Sequence, residues 1–204
     1  MKRNTTFTIN GTRIFSPFDI DAFMSVIGTP RSMASFRFFL ATGLRYREGN
    51  FVLQNPDMFD PDARVIHYKA NKDWDRERRY KDRDIYLSYM DADFVHLFMC
   101  IGKPMNMRQE EVTKYMKFWA GKLNMNPIGI GTMALRKTRF VWLLTTFPEY
   151  EDVIVSSLNH NSNLPKCAAD DEFELYKSAP FSEPERQRIA AYLHGWDTAV
   201  DQTG

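Results

Sequence analysis

The chain is poor in cysteine, with two among 204 residues, Cys100 and Cys167, set 67 positions apart. Two isolated thiols build neither a disulfide framework nor a zinc site, and they fit a reducing, intracellular setting. It also lacks any apolar run of about 18 residues, and its mean hydropathy is −0.45, which excludes a transmembrane helix. No apolar segment follows the charged start Met1-Lys2-Arg3, so no secretory signal is expected. Internal repeats, low-complexity tracts and Gly/Ser linkers are missing too. So are the phosphate-binding loop of nucleotide hydrolases, a His-Glu-x-x-His zinc motif and a Gly-x-Ser-x-Gly nucleophile elbow. His67, His96, His160 and His194 are scattered along the chain, with no metal-ligand spacing among them. Gly129-Ile130-Gly131-Thr132-Met133-Ala134 matches a dinucleotide fingerprint in letters only, because no buried strand precedes it.

What is present is enough apolar material for a core: 44% of residues are hydrophobic and 14% aromatic, in a length that suits one domain. The net charge of +1 conceals an asymmetry. Residues 149–204 carry four Lys/Arg against eleven Asp/Glu, and residues 1–148 carry 23 against 15. A basic body joined to an acidic C-terminal part points to a polyanion-binding surface.

Helix signals recur. Ser16-Pro17 and Thr29-Pro30 each read as an N-cap followed by proline at the first helical position. The first helix runs to about Ile27, and the second ends near Gly43. Arg64–Lys69 and Arg83–Leu87 read as two short strands around a charged hairpin loop, Lys72-Asp73-Trp74-Asp75-Arg76-Glu77-Arg78-Arg79. Helical patterns follow at 91–101, 108–120, 131–146 and 149–158. A last helix over 183–196 opens on the capping box Ser182-Glu183-Pro184-Glu185 and carries the stripe Ile189, Leu193 and Trp196. The fold class expected is α+β, mostly helical with a small antiparallel sheet.

One constellation carries chemistry. Thr42-Gly43-Leu44-Arg45-Tyr46-Arg47-Glu48 lies where a helix gives way to a turn, and Lys69 comes 24 residues after Arg45, at the hairpin tip. Leu135-Arg136-Lys137-Thr138 opens a later helix, Leu158-Asn159-His160 follows 24 residues beyond Arg136, and Tyr176 comes next. The order Arg, Lys, Arg, His, Tyr resembles the catalytic domain of the tyrosine recombinases, the phage-integrase family, across roughly residues 15–195.

The resemblance implies a DNA strand transferase of a mobile element, a site-specific recombinase or integrase in which Tyr176 attacks a scissile phosphate and forms a 3′-phosphotyrosyl link. Arg45 and Arg136 would clamp the charge of the transition state. Lys69, with Lys72 as substitute, would protonate the leaving 5′-oxygen, and His160 would bind the phosphate or assist proton transfer. The chemistry needs no metal or nucleotide cofactor. Two departures stand out: Met133 occupies the position where the family usually has histidine, and the interval from His160 to Tyr176 is long, with Asp170-Asp171-Glu172 inside it. Tyr192 is a second candidate nucleophile.

The implied partner is double-stranded DNA, with Arg31, Arg37, Arg47, Lys72, Arg76, Arg78, Arg79 and Lys137 as backbone contacts. A homo-oligomer on DNA would form through Ile189, Leu193 and Trp196. The expected organisation is one catalytic domain over 1–204 without the family's N-terminal clamp domain, working in the cytoplasm of the host cell or on its nucleoid. A DNA-binding relative that has lost catalysis is the second reading, and a helical interaction domain with no nucleic-acid role is the third.

Overall fold

A computed structural model describes residues 7–70, 81–100, 108–158 and 173–203. Ten helices and five short strands appear among them, a mostly helical α+β arrangement. Strands β1 (Thr8–Ile9) and β2 (Thr12–Arg13) form a small antiparallel hairpin. Helix α1 (Pro17–Val26) starts as its sequence dictates: Ser16 Oγ accepts from the Asp19 N–H at 3.1 Å, and the Asp19 carboxylate accepts from the Ser16 N–H at 3.0 Å. In helix α2 (Pro30–Thr42), Thr29 caps one end, and Gly43 closes the other in the left-handed conformation at φ 61°.

Helix α3 (Tyr46–Gln54) follows after only three residues, and Arg45 is its N-cap. This corrects the expectation of a plain turn at 42–48. The sequence hides α3 because Gly49 lowers its helix propensity. A Cβ there would stand 2.4 Å from Phe39 Cε1, so the glycine allows α3 to lie close against α2.

The antiparallel sheet has the order β3 (Phe59–Asp60), β4 (Val65–Tyr68), β5 (Arg83–Tyr86), with Tyr68 paired to Arg83 and His67 to Asp84. Period-two alternation sends Ile66, Tyr68, Arg83 and Ile85 into buried positions on one face; on the other, Val65 is also buried, while His67, Asp84 and Tyr86 are half-buried. Then come α4 (Tyr89–Cys100), α5 (Gln109–Lys122), α6 (Thr132–Thr146) and α7 (Glu151–Leu158). The chain continues through the short helix α8 (residues 173–177) to α9 (Glu183–Tyr192) and α10 (Trp196–Asp201). No helix among the described residues is long and apolar enough to cross a membrane.

Helix α6 is the hub. It packs against α2, α5, α7, α9 and β2, and it buries Leu135, Phe140, Val141, Trp142, Leu143 and Leu144. Burial of each such large side chain is worth about 1.5–3 kcal/mol. The N-terminal segment is hydrogen-bonded to α6 at two points. The Phe15 N–H donates to Thr138 Oγ1 at 2.9 Å, and Trp142 Nε1 donates to the Phe15 carbonyl at 3.1 Å. The glycine pair before α6 has a packing reason as well. Gly129, at φ 74°, passes so close to the β1–β2 hairpin that a Cβ would meet Gly11 O at 2.7 Å.

The C-terminal helix departs from expectation. Residues 183–196 are not continuous, because the helix stops at Tyr192 and restarts at Trp196. Arg64 holds the break by donating from Nη1 to the Gly195 carbonyl and from Nη2 to Thr198 Oγ1. The proposed docking stripe is also unavailable: Ile189, Leu193 and Trp196 are buried in the chain's own core. Trp196 stacks on Phe147 at 5.2 Å and meets Tyr86 and Tyr150 edge-on. The apolar stripe of α9 and α10 therefore serves packing in cis.

Candidate functional site: an arginine cluster on a buried glutamate

Glu48 is wholly buried at the first turn of α3. Its carboxylate accepts from the Arg45 N–H at 2.7 Å, which satisfies an open donor at the helix start. The same carboxylate collects three guanidinium groups. Arg45 Nη1 donates to Oε1 at 3.1 Å. Arg83 Nη2 stands 2.9 Å from Oε1, an ion pair without the angle of a hydrogen bond. Arg136 Nη1 lies 3.8 Å from Oε2. Three elements far apart in sequence thus meet on one side chain: the start of α3, the base of β5 and the second turn of α6.

The Arg136 and Arg83 guanidiniums are also anchored to backbone. Arg136 Nη1 donates to the Gly43 carbonyl at 2.7 Å, and Nη2 to the Leu158 carbonyl. Arg83 Nε donates to the Ser157 carbonyl at 2.8 Å and Nη1 to the Lys81 carbonyl at 3.1 Å, while its plane lies over the Tyr68 ring at 4.4 Å. The Arg83 and Arg136 side chains are each 3% exposed, against 31% for Arg45. Arg45 is therefore the face of the cluster that solvent reaches.

Among the described residues, three guanidiniums gather on one carboxylate in a low-dielectric setting. Burial would raise the Glu48 pKa, but Arg83, Arg136, Arg45 and the Arg45 backbone N–H overcome it and hold the carboxyl below its ordinary value. Burial pushes Arg136 down to about 9, reinforced by repulsion from Arg45 and Arg83 and opposed by Glu48 and Tyr176. Arg136 is still protonated at neutral pH, and an added anion would relieve its strain. Tyr176 packs against the same helix, edge-on to Phe140 one turn beyond Arg136 and beside Lys137.

The expected site residues divide into three groups. Arg45 and Arg136 meet on Glu48, and Tyr176 packs on Phe140 of the helix that carries Arg136. Lys69 is not brought to the arginines. It follows the end of β4 rather than standing at the hairpin tip, its side chain is 68% exposed, and it faces Asp82 at 4.0 Å. His160, Lys72, Arg76, Arg78 and Arg79 lie outside the described residues. Met133 is 42% exposed in the first turn of α6.

Tyr176 is placed where a nucleophile is inaccessible. It is 0% exposed, edge-on to Phe140 at 5.1 Å and to Phe173 at 6.3 Å, with the Lys137 ammonium 5.9 Å from its ring centroid. The segment that carries it is fastened by Lys177, whose ammonium meets Glu151 at 2.5 Å and Glu174 at 3.5 Å. Tyr192 is no substitute. Its hydroxyl donates to Asp21 at 2.6 Å, its ring packs on Trp142, and burial with that hydrogen bond pushes its pKa up to about 12.

Of the expected backbone contacts, Arg31 and Arg47 are exposed, Lys137 is half-buried beside Tyr176, and Arg37 lies half-buried over the Phe94 ring at 5.0 Å. Sequence reasoning gave no role to Glu48 or Arg83. Glu48 was present in the Arg-x-x-Glu spacing. Arg83 leaves a fainter trace, a charge in phase with Ile85 on the inward face of a strand. No family model matches the chain, and no curated protein or solved structure matches it.

Proposed function

We propose that the chain is a DNA strand transferase of the tyrosine-recombinase type, a site-specific recombinase or integrase that cleaves and rejoins DNA through a 3′-phosphotyrosyl intermediate. The observation that carries the reading is the convergence of Arg45 and Arg136, 91 positions apart in the chain, on the buried Glu48 carboxylate. Guanidinium forks held in this way suit a scissile phosphate whose non-bridging oxygens gain charge in the transition state. Positions fixed by backbone carbonyls and a buried carboxylate need no reorganisation when that charge develops.

In this reading the Tyr176 oxygen forms a bond to phosphorus as the bond to the 5′-oxygen breaks. The phenol proton passes to a base, for which His160 is the candidate, and the leaving 5′-oxygen takes a proton from Lys69 or Lys72. Attack by a 5′-hydroxyl on the phosphotyrosine reverses the step and restores the phenol. Because Tyr176 is packed in the core, α8 must move before the hydroxyl meets DNA. The substrate places the activity wherever the host cell keeps its DNA.

Covalent trapping tests the reading. A pool of nicked suicide duplexes, in which the short cleaved product diffuses away, is incubated with wild type, Tyr176→Phe and Arg45→Ala and run on a denaturing gel. The expected result is an adduct with wild type that is absent from Tyr176→Phe and strongly reduced in Arg45→Ala. An adduct that persists in Tyr176→Phe would move the nucleophile elsewhere. Salt-sensitive DNA binding with no adduct would favour a relative that binds DNA without cleaving it. Two observations speak for that second reading: the full burial of Tyr176, and methionine at position 133, which cannot relay a proton.

A further inference from the structure

Arg83 makes more of this site's connections than any role in the strand-transfer reading requires. Its single guanidinium reaches two other elements and the foot of its own strand. Nη2 pairs with Glu48 on α3, Nε donates to Ser157 near the end of α7, and Nη1 donates to Lys81 at the foot of its own strand. Its face lies on Tyr68, its cross-strand partner in β4. Tyr68 directly precedes Lys69, Ser157 comes three positions before His160, and Glu48 holds Arg45 and Arg136. Among the described residues, Arg83 thus touches Glu48, which holds Arg45 and Arg136, Tyr68, which precedes Lys69, and the end of α7.

A structural stitch of this kind does not require a charge. A third guanidinium beside Arg45 and Arg136 adds repulsion, and it is among the causes that push Arg136 down. Burying an ion generally costs several kcal/mol, and replacing buried ion pairs by apolar side chains of like volume is often neutral or stabilising. Lysine would not reproduce the geometry, since one ammonium cannot face Glu48, Ser157 and Lys81 along three fixed directions and lie flat on a ring.

We propose that Arg83 is a positioning residue of this site. It holds the β4–β5 hairpin and the end of α7 in register with the Arg45–Glu48–Arg136 cluster, so that the phosphate clamp keeps one geometry. The proposal rests on the strand-transfer reading above. It differs from the roles of Arg45 and Arg136 in that Arg83 acts through Glu48 and through backbone, without touching DNA.

The test measures adduct formation on the nicked suicide duplexes, DNA affinity and thermal unfolding together, for wild type, Arg83→Met, Arg83→Lys, Glu48→Met and the double variant Arg83→Met with Glu48→Met. The expected result is a fall in adduct rate of at least 100-fold in both Arg83 variants. DNA affinity stays within about threefold, and the melting temperature of at least one of the two stays within a few degrees of wild type. The double variant should be no slower than the slower single variant, as for residues that act through one another. Adduct formation by Arg83→Met at the wild-type rate would overturn the proposal and leave the strand-transfer reading intact. Losses that multiply in the double variant would overturn the route through Glu48. Activity lost in both Arg83 variants in step with folded protein would reduce Arg83 to a packing contact, which also overturns it. A wild type that forms no adduct would remove the strand-transfer reading, and this proposal with it.

Discussion

Arg136 Nη1 donates to the carbonyl of Gly43, 93 positions earlier in the chain, at 2.7 Å. The glycine that ends α2 thus fixes the guanidinium that α6 supplies. The carbonyl points at α6 only because Gly43 adopts φ 61°, a left-handed conformation that costs other residues about 1–2 kcal/mol. A Cβ there would also stand 2.6 Å from Leu158 Cδ2. Gly43→Ala is therefore expected to destabilise the fold by about 1–3 kcal/mol. It should also weaken salt-sensitive DNA binding beyond what unfolding explains. Urea midpoints and binding isotherms at fixed ionic strength check both parts.

Glu48→Gln removes the carboxylate on which the three guanidiniums meet. At neutral pH the expected loss is about 3 kcal/mol, because a buried charge partner of all three is lost. The pH dependence has a definite sign. The folded-state pKa of Glu48 lies below the ordinary value of 4.5, so its stabilisation is complete above that value and is lost as pH falls through the lower folded value. The stability gap between wild type and Glu48→Gln should narrow as the pH drops from 7 to 3, read as urea midpoints. A gap that stayed constant over that range would mean that Glu48 is not ionised in the cluster.

Tyr176 should be shielded in the resting protein and become reactive when its helix is loosened. Lys177 pairs with Glu151 from a position about one-third exposed, so Lys177→Ala or Glu151→Ala should cost under about 1 kcal/mol. The same substitutions should increase nitration of Tyr176 by tetranitromethane several-fold, mapped by peptide mass. Equal nitration in wild type and in both variants would show that the ion pair does not restrain the segment.

Trp196→Ala is expected to cost about 3–5 kcal/mol, because the indole is 1% exposed and stacked on Phe147. If the residue serves only cis packing, sedimentation velocity of the folded variant in the absence of DNA should show the same species as wild type. A shift in association state without loss of stability would return Trp196 to an intermolecular role.

Local chemistry made much of the fold legible. Ser16-Pro17, Thr29-Pro30 and Ser182 announce helix starts through side-chain caps, and the two strands of the hairpin declare themselves by alternation. What escaped was decided by close approach between distant segments. Helix α3 is disguised by Gly49, whose purpose is proximity to Phe39. The break at Gly195 depends on Arg64, 131 positions away. At the site, the order of Arg45, Arg136 and Tyr176 was readable, and the Arg-x-x-Glu spacing contained Glu48. An ion pair between Glu48 and Arg83 has no local signature. An apolar stripe reads the same whether it packs at home or on a neighbour, and the burial of Ile189, Leu193 and Trp196 decides for home.

The placement of Arg136 in the second turn of α6 has a dynamic consequence. That helix is held by α2, α5, α7, α9 and the N-terminal hairpin at once, so its amides should be among the last to exchange with deuterium, opening only with the whole molecule. Among the described residues, the helix bearing Tyr176 is joined to the rest through ring packing on Phe140 and the partly exposed Lys177–Glu151 pair, so it should open at lower cost than α6. Under the strand-transfer reading this makes an anvil and a hammer: the arginine cluster is set at folding, and the motion of the reaction falls to the tyrosine.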